Sequence, residues 1–168
     1  MKIWFDILTP KQYLFFEYFI QKFRKKHKII STTRRYQQVN GIRKFGTINP
    51  VIIGKHGGKN NVDKLLASLD RTKLLTKKIE KERPDLLVSF CSPEGTRVAY
   101  GLGIPHIAFS DSPQAKAVMK LSLPYVTKLT KGLSLMVFFI LMAFAGLFVV
   151  IHQVYDMPIV IEQVDRKS

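Results

Sequence analysis

Apolar runs alternate along the chain with stretches of helical period. Residues 2–8 (KIWFDIL) form a short apolar run rich in β-forming side chains, interrupted by Asp6, and predict a first strand. Thr9-Pro10-Lys11-Gln12 follows with a capping hydroxyl, a proline for the first helical position and a glutamine to complete a capping box. Phe15, Phe16, Phe19, Ile20 and Phe23 then recur at helical spacing, as core residues do. Arg24, Lys25 and Lys26 close that helix where its dipole favours cations. Residues 28–34 predict a second strand, 36–45 a weak helix stopped at Gly46, and 51–54 a third strand. Val62, Leu65, Leu66, Leu69, Leu75 and Ile79 mark the apolar face of a long helix that ends before Pro84. Residues 85–90 read as a strand buried on both faces, 93–102 as a helix, 106–110 as a fifth strand and 113–121 as a last helix. Strands alternating with helices predict an α/β fold with a parallel sheet covered on both sides.

The pattern changes after residue 131. Residues 132–151 carry no charge, and only Ser134 and two glycines interrupt their apolar side chains. As a helix rising 1.5 Å per residue, the run would reach about 30 Å, the thickness of a bilayer's hydrocarbon core. The expectation is a membrane-spanning helix over 132–151 followed by a short polar tail, 152–168. Lys128 and Lys131 precede the run, and His152, Tyr155 and Asp156 follow it. The positive-inside rule then places the N-terminal domain in the cytoplasm of a single-pass membrane protein. Asp6 and Pro10 break the apolar stretch near the N-terminus, so there is no signal-peptide pattern.

Composition reflects this division. A net charge of +15 beside a mean hydropathy of +0.04 is an odd pairing. It arises because 25 of the 27 Lys and Arg residues precede the uncharged run. A length of 168 residues is too short for two full catalytic domains. One cysteine excludes an intramolecular disulfide and a zinc site built on several thiolates. His27, His56 and His106 have no paired ligand spacing, so neither a metal nor a cofactor is expected.

Candidate chemistry clusters at the ends of strands. Thr9-Pro10, Ser92-Pro93 and Ser112-Pro113 each place a capping hydroxyl and a proline directly after a predicted strand. In a parallel sheet those ends share one edge, so three helix N-termini would face one crevice and offer N–H groups to an anion. Around them lie Asp6, Glu94, Arg97, Asp111 and Gln114. Asp6, Glu94 and Asp111 are the candidate general bases, with nothing in the pattern to choose among them. Asp6 also needs a partner, because it interrupts an apolar strand. Glu94 has a plainer reading as dipole compensation at a helix start. The loop 54–61 follows a strand and holds His56, Gly57, Gly58 and Lys59. It is one residue short of a phosphate-binding loop, and Asn60 stands where a magnesium-binding hydroxyl belongs. Its glycines either curl the backbone around a phosphate or make an ordinary turn. Cys91 reads as a small residue on the crevice wall.

Four stretches together resemble one family: MKIWFDILTPKQ, VIIGKHGGK with the following KLLASLDR, PDLLVSFCSPEGTRVAYGLGIPHIAFSDSP, and AVMKLSLP. They are similar to domain-of-unknown-function family 354, whose full-length members resemble GT-B glycosyltransferases and non-hydrolysing UDP-N-acetylglucosamine 2-epimerases. The resemblance covers about residues 1–126 and implies a Rossmann-like three-layer α/β/α domain over 1–127, the N-terminal half of a GT-B fold, with strand order 3-2-1-4-5. It further implies that this half holds the acceptor and that the half binding a nucleotide-sugar donor is missing. The family usually carries His after the Asp-x-Pro of strand five, where this chain has Gln114. By resemblance, the chain is a binding module or partial enzyme for an anionic sugar or glycan, inactive alone. Its ligand would be a sugar nucleotide, a glycan or a lipid-linked acceptor at a membrane lipid surface. Two alternatives are a membrane-anchored glycosyltransferase needing a separate donor-domain chain, and a truncated or frameshifted product. The basic charge would suit nucleic acid, but no aromatic-basic interleaving, zinc module or helix-turn-helix supports it. Anionic lipid headgroups account for that charge equally well.

Overall fold

The computed structural model describes residues 1–35, 46–110 and 114–131. The expected helix over 36–45, Asp111, Ser112 and the predicted membrane span with its tail lie outside the described residues. The described chain runs β1 (Lys2–Ile7), α1 (Pro10–Phe23), β2 (Lys28–Arg35), β3 (Val51–Lys55), α2 (Asn61–Glu82), β4 (Leu86–Ser89), α3 (Pro93–Gly101), β5 (His106–Ser110), α4 (Lys116–Ser122), a 3₁₀ turn (Leu123–Tyr125) and β6 (Lys128–Lys131). Among the described residues, no helix is long and apolar enough to cross a membrane.

All six strands are parallel, in the order β3-β2-β1-β4-β5-β6. The chain winds outward from β1 to β3, then crosses back to β4 on the other side of β1. The order implied by the resemblance is present and gains a sixth strand. That strand, Lys128–Lys131, pairs with Ile107–Ser110, and the compact unit runs from Met1 to Lys131. Four residues with a lysine at each end carry no apolar run by which to announce a strand.

Alternation along β1 sorts the core into two layers. Ile3, Phe5 and Ile7 face one side, where Tyr13, Phe16 and Ile20 of α1 pack with Ile48, Val88 and Phe90. Phe16 meets Phe5 edge-on with ring centroids 5.3 Å apart, and Phe15 meets Phe90 at 5.0 Å. Trp4 faces the other side with Ile30, Ile53 and Leu87, under Leu75 and Ile79 of α2 and Val98 and Ala99 of α3.

Two helices depart from the sequence pattern. In α2 the buried positions are Ala67, Arg71, Leu75 and Ile79, whereas Val62, Leu65, Leu66 and Leu69 are exposed. Leu75 and Ile79 face the core as expected, but the inward line continues toward the N-terminus through an arginine. α4 starts at Lys116 with Ala115 at its N-cap and no capping side chain, not at Pro113. Gln114 is an exposed turn residue, its carbonyl accepting from Lys116 N at 2.8 Å. Ser112 and Pro113, the expected third cap, lie outside the described residues.

His106 opens β5 and is completely buried, its Nε2 sharing a 2.9 Å hydrogen bond with Ser89 Oγ. Burial pushes its pKa from the ordinary 6.5 down to about 4, against the opposing charge of Asp6. As pH falls below 6.5, the unfolded chain takes up this proton before the folded one. Stability should therefore decline between pH 6.5 and 4. The loss expected from this group is on the order of 3 kcal/mol. Urea unfolding across that range should show the decline, and His106→Gln should flatten it; an unchanged slope would assign the acid sensitivity elsewhere.

Candidate functional site

Parallel pairing puts the C-terminal ends of all strands on one edge, and the order reverses there between β1 and β4. The turns leaving these two strands open α1 and α3. Thr9 caps α1, its Oγ1 accepting from Gln12 N at 3.4 Å, with Pro10 in the first turn. Gln12 reaches back one residue further than a standard capping box, its Oε1 accepting from Leu8 N at 2.7 Å. Ser92 caps α3, its Oγ accepting from Gly95 N at 3.2 Å, with Pro93 in the first turn. Cys91, just before the cap, is buried and holds a left-handed backbone at φ 47°. Such a conformation costs a non-glycine residue on the order of 1 kcal/mol or more and is held by the surrounding structure. Here Ser122 Oγ donates to the Cys91 carbonyl at 2.9 Å.

A buried ion pair is joined to the Ser92 cap. Asp6 Oδ1 accepts from Arg71 Nη2 and Thr32 Oγ1, both at 2.6 Å. Asp6 Oδ2 accepts from Ser92 Oγ at 2.6 Å and Arg71 Nη1 at 3.1 Å. Arg71 Nη1 also donates to Glu94 Oε2 at 3.2 Å, and its Nε to the Ile53 carbonyl at 3.1 Å. Thr32 is held in turn by Trp4 Nε1 at 2.7 Å. Two glycines make room for the pair. A Cβ on Gly95 would stand 3.0 Å from Asp6 Oδ2, and one on Gly54 would stand 3.0 Å from Arg71 Cβ, on a backbone already at φ 73°.

Burial alone would raise the Asp6 pKa, but Arg71, Ser92 and Thr32 together hold it below the ordinary carboxylate value. Burial would likewise lower that of Arg71, and Asp6 and Glu94 raise it instead. Four donors surround the Asp6 carboxylate, which thereby ties β1 to β2, α2 and the start of α3. Two carboxylates around one guanidinium leave a formal charge of −1, which the positive end of α3 faces from Ser92. Glu94 is thus more than dipole compensation. Arg71 was missed in the sequence because it lies inside an apolar-periodic helix, although Asp6 called for such a partner.

The remaining described candidates do not join this ion pair. Arg97 is exposed on α3. His56, Gly58 and Lys59 are exposed in the β3–α2 loop, where His56 Nδ1 accepts from Gly58 N at 3.0 Å. Burial, with Arg34 and Lys64 nearby, lowers the His56 pKa. Gly57 packs on the first turn of α2, since a Cβ there would fall 2.4 Å from Lys64 Cα. Its glycine is explained by that close approach. Among the described residues, no group of three His, Cys, Asp or Glu converges to hold a metal.

Arg71→Met should cost about 3–5 kcal/mol, because it strands two buried carboxylates. The double variant Asp6→Asn/Arg71→Met should recover much of that loss. Guanidinium unfolding of the two singles and the double gives the coupling, and simple additivity would contradict a shared pair. Since the folded pKa of Asp6 is lowered, its contribution is complete above the ordinary 3.8 and disappears as pH falls further.

Comparison with known proteins adds the family. The sequence pattern of the family described as protein of unknown function (DUF354) matches residues 1–154. The match continues past 127, where the resemblance read from motifs stopped, and takes in the uncharged run. An uncharacterised protein of Methanocaldococcus jannaschii is 30% identical over 137 residues, 80% of this chain and 39% of the relative. The chain therefore spans about two fifths of that relative's length. The fold is similar to that of Acinetobacter baumannii MurG, with TM-score 0.61, 15% identity, and coverage of 77% of this chain and 41% of MurG. It is also similar to the UDP-GlcNAc 2-epimerase of Neisseria meningitidis bound to UDP-GlcNAc, with TM-score 0.58, 12% identity, and coverage of 75% and 39%. A Rossmann-like α/β fold is thus shared with those structures, and by its sequence the chain belongs to the DUF354 family of proteins of unknown function.

Proposed function

We propose that this domain binds an anionic sugar ligand, a sugar nucleotide or a phosphorylated glycan, in the crevice between the ends of β1 and β4. The observation that carries the reading is the pair of capped helix N-termini, at Thr9 and Ser92, flanking the reversal of strand order. Arg97, His56 and Lys59 surround that edge with groups suited to a phosphate. The similar epimerase fold solved with UDP-GlcNAc supports a ligand of that class. Asp111, Ser112 and Gln114 belong to the same proposed rim as contributors after β5.

On this reading the chain is the acceptor-side half of a GT-B-like arrangement. The matched structures extend well beyond the region it covers, which supports a donor-binding half supplied by further polypeptide. The uncharged run 132–151 supports tethering at a membrane, with the basic domain on its cytoplasmic side. Under this scheme the domain alone binds and does not turn over, and transfer requires the second half. A match that continues through the uncharged run does not favour the frameshift alternative.

Calorimetric titration with UDP-GlcNAc, UDP and GlcNAc 1-phosphate tests the reading. At least one should bind, and Arg97→Ala should weaken it by about tenfold, the worth of one charge-assisted contact. Absence of heat and of any thermal shift with all three would remove the anionic-sugar reading. Binding unchanged by Arg97→Ala, Lys59→Ala and His56→Ala would move the site away from this edge.

A further inference from the structure

The first half of α2 turns an apolar stripe to solvent. Val62, Leu65, Leu66 and Leu69 are 63%, 60%, 55% and 54% exposed. Their spacing of i, i+3, i+4 and i+7 gathers them on one face. The opposite face carries Ala67, Arg71, Leu75 and Ile79 and is buried against the sheet and α3. The stripe is therefore surplus to the core. Single exposed aliphatic residues are ordinary, but four in register along two helical turns form a surface.

Charge around the stripe indicates what covers it. Lys59 lies just before the helix, and Lys73 and Lys77 continue the line of the stripe toward the C-terminus, all exposed. The acidic neighbours are Asp63 and Asp70, both exposed along one flank. All 25 basic residues that precede 152 lie in residues 1–131, against 9 acidic ones. A protein interface excludes lysine from its centre. A bilayer accepts lysines at the ends of an apolar stripe, where their stems follow the hydrocarbon and their ammonium groups reach phosphate.

We propose that this outward face of α2 docks on an anionic lipid surface, the four aliphatic side chains entering the headgroup boundary and the flanking lysines pairing with lipid phosphate. The site is separate from the crevice and does not require the crevice to bind sugar. It is built from residues other than the uncharged run 132–151, so it would give the domain a folded contact of its own with a bilayer. The β3–α2 loop precedes the docked turns, so contact would bring the crevice rim toward the headgroups.

The test places a reporter on the stripe of the full chain. An environment-sensitive fluorophore is attached at Leu66→Cys, with Cys91→Ser leaving a single thiol. Vesicles mixing phosphatidylglycerol and phosphatidylcholine should shift its emission to the blue and shield it from iodide. Pure phosphatidylcholine should do neither, and high salt should weaken the effect. A control label at Tyr100→Cys, exposed on α3, should remain open to iodide. Val62→Ser/Leu65→Ser/Leu69→Ser should keep its circular dichroism and melting temperature while losing about tenfold in vesicle affinity for the labelled face. A label that stays quenchable while the protein sediments with anionic vesicles would overturn the proposal, because the chain would then be held elsewhere. Concentration-dependent dimerisation in sedimentation velocity, abolished by the same three substitutions without vesicles, would overturn it in favour of a second copy.

Discussion

The buried pair of Asp6 and Arg71 is the constraint around which the second layer of this fold is arranged. A carboxylate in the middle strand of a parallel sheet has no water to turn to, so the chain must bring it a cation and further donors. Arg71 comes from α2, Ser92 from the start of α3 and Thr32 from β2. One charge thereby holds a helix, a helix cap and two strands in register. Gly54 and Gly95 are glycines because the pair occupies the space a side chain would need.

The same constraint fixes how α2 is turned. Asp63, Lys64 and the leucines around them would permit several rotations of an isolated helix. With Arg71 held inward, Leu75 and Ile79 follow it one and two turns on, and Val62, Leu65, Leu66 and Leu69 are carried to the outside. An apolar stripe on the surface is thus the counterpart of a charge in the core. The start of α3 is tied to the same source, since Ser92 both caps α3 and donates to Asp6. The buried ion pair and the N-terminal cap of α3 are one hydrogen-bonded unit.

Much of the site was legible in the residues because capping is local. Thr9 and Ser92 act within three residues of themselves, and their prolines signal the same boundary. Ser112-Pro113 carries the same local signal but lies outside the described residues. Glu94 was visible as a helix-start acid, but not as a ligand of Arg71. Arg71 itself was hidden, because within a helical pattern an arginine reads as a break in the apolar face. Gly57 and Gly58 suggested a phosphate loop on composition, whereas Gly57 answers to the close approach of Lys64.

The sequence by itself determined the order and type of the described elements from β1 to α4, the two helix caps at Thr9 and Ser92 and the need of Asp6 for a partner. Each depends on side-chain alternation or on groups a few residues apart. Only the tertiary structure decided that the partner is Arg71, 65 residues away, and which side of α2 faces inward. It alone supplied the sixth strand, whose four residues pair with β5 without any apolar signal of their own. These outcomes rest on contacts between distant segments, where competing helix rotations are separated by the cost of leaving one buried carboxylate unpaired.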